Sequence, residues 1–288
     1  MTEDVFSFRH EAMNTWFEVS LAGINADYAR KAATEAFREI DRLENLLSRF
    51  REGSDIDILN KRAGKEPVRV TEECWDCLLQ AMDLEILTSG VFSIAFEAFM
   101  DTSPFKGIQQ AGSWIEMDTD HNTVKFRYPS IKIDLGGIGK GYALDLVVRL
   151  LEDWDIQSLL IHSGTSSVVA RGNRDGHPGW PVSVGADQFP RDFRLVNGSL
   201  SGSSLAVQDS HILDLQTQKP LDTERRAWAW APTGAISDAL STSFMVMPVD
   251  KIGKICETHS EFGALLVDPE LGDSFRAFGT VLNFIKVT

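Results

Sequence analysis

The chain has 288 residues, of which 43% are hydrophobic and 24% are charged, close to the average for soluble globular proteins. Its 28 basic and 42 acidic residues give a formal net charge of −14. A surface of that sign repels phosphate backbones and anionic membranes, which argues against general nucleic-acid binding. An anionic ligand would therefore need a local positive site or a bound metal ion.

The sequence also argues against a membrane protein. No segment approaches the ~18 uninterrupted apolar residues that a spanning helix requires. The N-terminal segment MTEDVFSFRHEAMNTW carries early acids and lacks the apolar centre of a signal peptide. We expect a cytoplasmic protein without a membrane span, unless a leader has been removed.

The three cysteines are too few for a disulfide framework. Cys74 and Cys77 form a C-x-x-C pair inside a segment with helical periodicity, and no second pair accompanies them. This favours two ordinary helix cysteines over a redox or metal site.

The first half of the chain predicts a strand, two helices, a hairpin and a third helix. Apolar residues recur every three or four positions after Asn25 or Asp27, either of which is a suitable N-cap. The segment from Thr71 to Gly90 has the same periodicity, with Thr71 and Glu73 or Glu72 suited to cap its first turn and Gly90 suited to its end. In chain order we predict a strand at 13–22, a helix that begins near Asn25 or Asp27 and ends at the turn 48–55, and a helix at 71–90. A hairpin of two strands at 123–135 and a helix at 142–154 after a glycine-rich turn follow.

The second half predicts mainly strands. We expect them at 158–164, 168–172, 180–186, 193–204, 211–216 and 262–267, with one helix at 236–247 that Pro248 ends. Helices and strands are interspersed rather than strictly alternating, so the fold class is α+β or mixed α/β. Without an internal repeat or a linker of low complexity, we expect a single domain over residues 1–288.

The segment IDLGGIGKGYALD, residues 133–145, places four glycines between a predicted strand and a predicted helix. Glycines let the backbone approach a ligand, a helix N-terminus offers free N–H groups, and Lys140 adds a positive charge. The spacing is neither that of a P-loop nor that of a G-x-G-x-x-G fingerprint. An anion site and a tight packing turn between strand and helix both remain open.

The segment SDALST, residues 237–242, places three side-chain oxygens on one face of a helix. Asp238 and Thr242 are separated by four positions, with Ser241 between them. Oxygen ligands suit a hard cation such as Mg²⁺. The alternative is an ordinary first helix turn in which Asp238 is a surface acid favoured by the helix dipole. As a surface acid, Asp238 should contribute little to stability.

A third segment, HILD at residues 211–214, begins a predicted strand. His211 is either a general base or a half-exposed polar residue. The other histidines show no ligand spacing among themselves.

In this order, the three segments resemble the FAD:protein FMN transferases, the ApbE-like flavin transferases. The glycine loop and the 237–242 segment match best. Further pieces match in part, and they are Met13-Asn14-Thr15, Ser48-Arg49-Phe50, Ser54 to Asn60, Gly90 to Ser93, Ser201-Gly202 and His211 to Asp214. The resemblance extends from residue 13 to about 270 and implies the α+β architecture of that family.

The resemblance also implies a reaction. Members of the family use Mg²⁺, cleave the pyrophosphate of FAD, release AMP and attach FMN to a threonine or serine hydroxyl of an acceptor flavoprotein. The partners implied are therefore FAD and an acceptor flavoprotein. This chemistry is phosphoryl transfer, in which positioning and charge neutralisation do most of the work.

The resemblance assigns roles to individual residues. Metal ligands would be the Gly137 carbonyl, Asp238, Ser241 and Thr242. Lys140 would face the pyrophosphate, and His211 would deprotonate the acceptor hydroxyl. The flavin-nucleotide pocket would be lined by Met13, Phe50, Phe92, Ser93, Asp134 and Ile212.

Several positions depart from the family pattern. Ser93 replaces an aspartate, Ser163-Gly164-Thr165 replaces G-G-D, and the segment after Asp214 lacks the family's proline, arginine and glycine. Two alternatives follow from these departures. The chain either binds a flavin nucleotide without transferring it, or hydrolyses FAD to FMN and AMP.

Overall fold

An eight-stranded antiparallel sheet forms the centre of the fold in the computed structural model, which describes residues 4–95, 114–184, 193–204, 213–214, 219–220, 223–268 and 275–283. The helices are α1 (Ala26–Leu47), α2 (Asp55–Arg62), α3 (Glu72–Leu87), α4 (Gly139–Asp153), α5 (Gly234–Val246) and α6 (Val249–Thr258). Helices and strands mix within one α+β domain, which confirms the predicted fold class.

The strands follow in chain order. They are β1 (Val5–Ala12), β2 (Thr15–Ala22), β3 (Val68–Arg69), β4 (Ile115–Asp118), β5 (Thr123–Phe126), β6 (Ser158–Ser163), β7 (Ser167–Arg171), β8 (Asn173–Arg174), β9 (His177–Pro178), β10 (Trp180–Pro181), β11 (Arg194–Leu195), β12 (Gly198–Ser204), β13 (Leu213–Asp214), β14 (Lys219–Pro220), β15 (Arg226–Ala231), β16 (Gly263–Val267) and β17 (Arg276–Gly279). A 3₁₀ turn, Thr280–Asn283, follows β17.

The large sheet has the strand order β1-β2-β6-β7-β12-β15-β16-β17. The remaining described strands form a three-stranded sheet, β3-β5-β4, and the pairs β8–β9, β10–β11 and β13–β14. Side chains of the main strands alternate between the two faces of the sheet. In β6, Leu159 and Ile161 pack in the layer that holds α1 and α4, whereas Leu160 packs on the opposite side with Trp180 and Trp230.

The first hairpin differs from the prediction of one strand at 13–22. The hairpin contains an unpredicted first strand, β1, and its second strand, β2, begins only at Thr15. Met13 and Asn14 form the two-residue turn with φ of 50° and 56°. Positive φ at both central residues is what a type I′ hairpin turn requires, and asparagine tolerates it well. The turn places Met13 at the end of the sheet.

Helix starts agree with the predicted caps. The Asn25 side chain accepts a hydrogen bond from the Tyr28 N–H at 2.9 Å, and Thr71 accepts one from the Cys74 N–H at 3.3 Å. Helices α2 and α6 were not predicted. The cap of α2 is Ser54, whose hydroxyl accepts from the Asp57 N–H at 3.0 Å.

The predicted second strand of the 123–135 hairpin is absent, and β5 pairs instead with β3 and β4. The reason lies in Asn60, whose side-chain amide bonds both backbone groups of Ile133. Its Nδ2 donates to the Ile133 carbonyl at 2.9 Å, and its Oδ1 accepts from the Ile133 N–H at 2.8 Å. The strand predicted at 180–186 is also shorter than expected. Within its described part, residues 180–184, only the two residues of β10 are in strand conformation.

The C-x-x-C pair lies within α3. Cys74 and Cys77 are fully buried in α3, and burial raises the pKa of both thiols. Such thiols are poor nucleophiles and poor metal ligands, as expected for ordinary helix cysteines.

None of the helices in the described ranges is long and apolar enough to cross a membrane.

Helices α4 and α5 cross at two glycines. A Cβ atom added to Gly141 would lie 2.0 Å from the Gly234 carbonyl oxygen, and one added to Gly234 would lie 2.4 Å from the Gly141 carbonyl oxygen. The two backbones are therefore in direct contact, which no other residue type permits.

We predict that Gly141→Ala destabilises the protein by ~2 kcal/mol or more, although alanine is the better helix former by about 1 kcal/mol. Gly136→Ala is the matched control, because its Cβ would meet the Asp134 carboxylate at an ordinary 3.4 Å. Urea denaturation of both variants measures the difference. Equal stabilities would show that the helices can separate at no cost.

Candidate functional site

The glycine-rich turn leads directly into α4. Asp134 holds its start, since one carboxylate oxygen accepts from the Gly136 N–H at 2.8 Å and the other lies 2.6 Å from Arg49 Nε. Ile138, the N-cap of α4, provides no side-chain acceptor for the first turn. The Gly139 N–H donates to the nearby Leu135 carbonyl at 2.6 Å, whereas the Gly141 N–H depends on a partner from elsewhere in the fold.

A pocket of about 490 Å³ lies beside this turn. Four predicted site residues line it, namely Met13, Phe50, Asp134 and Lys140. The other lining residues are Asn14, Leu43, Glu44, Leu47, Ser48, Arg49, Arg51, Leu135, Gly136 and Gly139. Phe50 is 73% exposed, so a large aromatic face is available at the pocket edge.

The lining of the pocket is locally positive in a chain of net charge −14. Three cations, Arg49, Arg51 and Lys140, face two acids, Glu44 and Asp134. Arg49 pairs with Asp134 and Arg51 pairs with Glu44 at 3.0 Å, whereas the Lys140 ammonium donates to the neutral carbonyl of Gly136 at 3.2 Å. Lys140 is thus the cation of this lining that contacts a neutral group, as an anion site needs.

Both interpretations of the glycine loop find support in different residues. Gly141 is required by helix packing, because its Cβ would collide with α5. Gly136 and Gly139 instead line the pocket. The loop combines a packing contact with a wall of the cavity.

Asp238 is buried, with 3% of its surface exposed. The prediction of a helix-surface acid is therefore wrong. Its Oδ2 accepts a hydrogen bond from the Gly141 N–H at 3.1 Å, and its Oδ1 accepts one from the Ser167 hydroxyl at 3.3 Å. Replacing Asp238 by alanine would leave a buried N–H without an acceptor, which costs about 1–3 kcal/mol.

Ser241 and Thr242 lie on the same helix as Asp238. Both hydroxyls donate to the Asp238 carbonyl, at 2.9 Å and 3.3 Å. Ser203 of β12 approaches both hydroxyls, at 3.0 Å and 3.4 Å. The two hydroxyls are thus joined through the Asp238 backbone carbonyl and through Ser203, and each hydroxyl oxygen retains a lone pair for another partner.

Asp145 and Asp238 bind the two helices to each other reciprocally. Asp238 of α5 accepts from the N-terminal N–H of Gly141 in α4. Asp145 of α4 accepts from the N–H groups of Gly234 and Ala235 at the start of α5, at 2.6 Å and 2.9 Å. Each aspartate lies four residues after a crossing glycine, in the segments GYALD and GAISD. Each helix therefore supplies the acid that satisfies the positive end of the other.

The remaining predicted site residues are Phe92, Ser93, Gly137, His211 and Ile212. Phe92 is buried and its ring would lie 3.2 Å from a Cβ at Gly137. The Ser93 hydroxyl accepts from the Ala95 N–H at 3.2 Å. These three residues are not among those that line the pocket. His211 and Ile212 lie outside the described residues.

Sequence reasoning did not identify the buried serines around Asp238. Ser167 of β7 contacts the carboxylate, and Ser199, Ser201 and Ser203 of β12 face α5. The signal was present in the segment GSLSGSS, where serine recurs at every second position. In a strand, that period points all three side chains to one face.

With the site geometry established, comparison with known proteins identifies the family. The sequence model of the ApbE family matches residues 13–266. The chain belongs to the ApbE family. Among curated relatives, the FAD:protein FMN transferase of Escherichia coli (strain K12) is 25% identical over 305 residues, covering 93% of this chain and 85% of the relative. That of Salmonella typhimurium (strain LT2) is 26% identical over 306 residues, with the same coverage of both chains.

Solved structures of ApbE proteins share the fold. The flavin transferase ApbE from Vibrio cholerae matches with a TM-score of 0.82 at 20% identity, covering 98% of this chain and all of the other. The ApbE protein from Thermotoga maritima matches with a TM-score of 0.82 at 22% identity and equal coverage. The predicted ApbE-like architecture is confirmed.

Burial raises the pKa of Asp145 from 3.8 to about 6, although its two backbone N–H donors act in the opposite direction. The folded state therefore holds this proton more tightly than the unfolded state. Stability supplied by Asp145 is complete at acidic pH, falls as the pH rises from about 4 to about 6, and stays low above that.

We predict that the free energy of unfolding of the wild type, minus that of Asp145→Asn, falls by on the order of 3 kcal/mol between pH 4 and pH 7. The subtraction removes the contribution of other acids, such as Asp57, whose pKa Lys61 lowers. Urea denaturation at several pH values measures both proteins. A difference that does not change with pH would show that Asp145 titrates as an ordinary acid.

Proposed function

We propose that this ApbE-family chain, as one domain over residues 1–288, transfers FMN from FAD to a threonine or serine hydroxyl of an acceptor flavoprotein, with Mg²⁺ and with release of AMP. The observation that carries the proposal is the hydrogen bond from Gly141 to Asp238. It joins the helix that forms the pocket wall to the helix that carries the oxygen ligands. Curated relatives bearing the name FAD:protein FMN transferase support the same assignment.

The pocket provides groups suited to two parts of FAD, its flavin ring and its pyrophosphate. Met13 and the exposed ring of Phe50 offer apolar contact to a flavin ring. Lys140 and the positive end of the α4 dipole offer charge to the pyrophosphate. Asp134 is held by Arg49 and by the Gly136 N–H, and it lines the same pocket.

The oxygen groups of α5 fit Mg²⁺ by their chemistry. Magnesium in phosphate-handling enzymes binds through one or two carboxylates and keeps waters and substrate phosphates as its other ligands. Asp238, Ser241, Thr242 and the carbonyl of Gly137 would hold it. Bound there, the ion would neutralise charge on the pyrophosphate. Asp238 is held in place by donors from α4 and β7.

The proposed step exchanges one P–O bond for another. The acceptor hydroxyl oxygen attacks the phosphorus on the FMN side, the bond to the AMP oxygen breaks, and AMP leaves. The hydroxyl proton goes to a base, the role we propose for His211. Lys140 would hold the pyrophosphate in line for this displacement.

Two alternatives remain, and they differ in the nucleophile or in the absence of chemistry. The departures motivate them, because Thr165 replaces an acid and is exposed, and the Ser93 hydroxyl is bonded within its own turn. An FAD pyrophosphatase would use water and release free FMN. A binding protein would hold FAD and release nothing.

One assay separates these functions. We expect the protein to bind FAD, and to release AMP in amounts matching FMN covalently attached to an acceptor flavoprotein when Mg²⁺ is present. Free FMN with AMP would indicate the pyrophosphatase, and bound, intact FAD with every tested acceptor would indicate the binding protein.

We predict that Asp238→Asn lowers the rate of AMP release at least 100-fold while the variant still binds FAD, because the proposed metal ligand is lost. Normal turnover by this variant would place the metal elsewhere.

We predict that Lys140→Ala weakens FAD binding by about 1–3 kcal/mol, because a charge-assisted contact to the pyrophosphate is lost. Lys31→Ala is the control, since it removes the same charge from an exposed position on α1. Fluorescence titration of FAD measures both variants. Equal affinities would show that the pyrophosphate does not contact Lys140.

A further inference from the structure

Strand β12 carries hydroxyl groups where neighbouring strands carry apolar side chains. Ser199, Ser201 and Ser203 are 5% exposed or less and face α5. On the next strand, β15, the residues facing the helices are Ala227, Ala229 and Ala231. Burying hydroxyl groups is unfavourable unless each is hydrogen-bonded. Their partners therefore indicate what the polar face is for.

Two of these serines, Ser199 and Ser201, join Ser237 of α5 and Ser167 of β7 in a continuous hydrogen-bond chain that ends on the Asp238 carboxylate. Ser199 Oγ lies 2.6 Å from Ser237 Oγ, and Ser237 Oγ lies 2.7 Å from Ser201 Oγ. Ser201 Oγ then lies 2.9 Å from Ser167 Oγ, which lies 3.3 Å from Asp238 Oδ1. The chain crosses from β12 to α5, back to β12, and through β7 to the acid.

Proton counting fixes the direction of the last two bonds. An ionised carboxylate only accepts, so Ser167 must donate to Asp238. Because the single proton of Ser167 is then used, Ser201 must donate to Ser167. Ser237 and Ser199 also approach backbone carbonyls, Gly234 and Val168, each at 3.1 Å, which fix the far end of the series. Hydrogen bonds aligned in this way polarise one another and strengthen the last bond of the series. This series of hydrogen bonds thus makes the Ser167 hydroxyl a stronger donor to Asp238 Oδ1.

The two oxygens of Asp238 are consequently held from two sides. Gly141 of α4 donates to Oδ2, and Ser167 of β7 donates to Oδ1. With both contacts made, the carboxylate plane cannot rotate without breaking a buried hydrogen bond. Such outer contacts on a metal-binding carboxylate fix its orientation toward the ion.

We propose that Ser167 is a positioning residue for Asp238, and that Ser201, Ser237 and Ser199 hold Ser167 in its donating orientation. This inference rests on the proposed function, in which Asp238 binds the metal. It assigns the polar face of β12 to metal affinity rather than to folding stability.

The test uses Mn²⁺ as the probe, titrated into the full chain with saturating FAD. Free Mn²⁺ is measured by electron paramagnetic resonance, and FAD without protein gives the blank. We expect Ser167→Ala to weaken Mn²⁺ binding about 10- to 100-fold, the usual effect of removing a second contact from a metal ligand. Ser201→Ala should weaken it by a smaller factor, and Ser167→Thr, which keeps the hydroxyl, should restore binding.

Ser243→Ala is the matched control. Ser243 is also a buried serine of α5, but its hydroxyl donates to the Ala239 carbonyl at 2.7 Å and lies outside the chain. Its loss should lower thermal stability without changing Mn²⁺ affinity. If Ser167→Ala does not fold, Ser201→Ala provides the test, because both donors to Asp238 remain.

The outcomes separate this inference from the proposed function. If the wild type binds Mn²⁺, Asp238→Asn does not, and Ser167→Ala and Ser201→Ala both bind like Ser243→Ala, the positioning role is wrong and the proposed function stands. If the wild type itself does not bind Mn²⁺ with FAD, the metal requirement of the proposed function fails, and the inference fails with it.

Discussion

The contact between Gly141 and Gly234 is the constraint on which the site depends. Because both residues lack a side chain, the first turns of α4 and α5 touch through their backbones. Only at that separation can Asp238 reach the N–H of α4 while Asp145 reaches two N–H groups of α5. The pocket wall and the proposed metal ligands are therefore parts of one rigid unit.

The sequence predicted well those features that depend on local pattern. Helices α1 and α3 begin at the expected caps, and the family motifs identified the glycine loop and the acid of α5. It failed where a distant side chain replaced a local partner. Asn60 occupies the backbone groups of Ile133, so an apparent strand does not form.

The site was predicted less completely for the same reason. The spacing of Asp238, Ser241 and Thr242 indicated oxygens on one helix face, but not that Asp238 and Ser241 are buried against β7 and β12. Ser167 is 71 positions from Asp238 in the sequence, and no local periodicity links the two. An acid that the pattern places on a surface therefore proves to be a buried hydrogen-bond acceptor.

The crossing of the two helices also has a consequence for how the chain reaches its native state. Gly141 and Asp238 are 97 positions apart, and strands β6, β7, β12 and β15 are formed by the intervening chain. Contacts of such separation form only after a large loss of chain entropy and slow the folding of a domain. A chain that has not made this crossing lacks the hydrogen bonds of Asp145 and Asp238 between α4 and α5, so ligand binding at the proposed site would report completed folding rather than local structure.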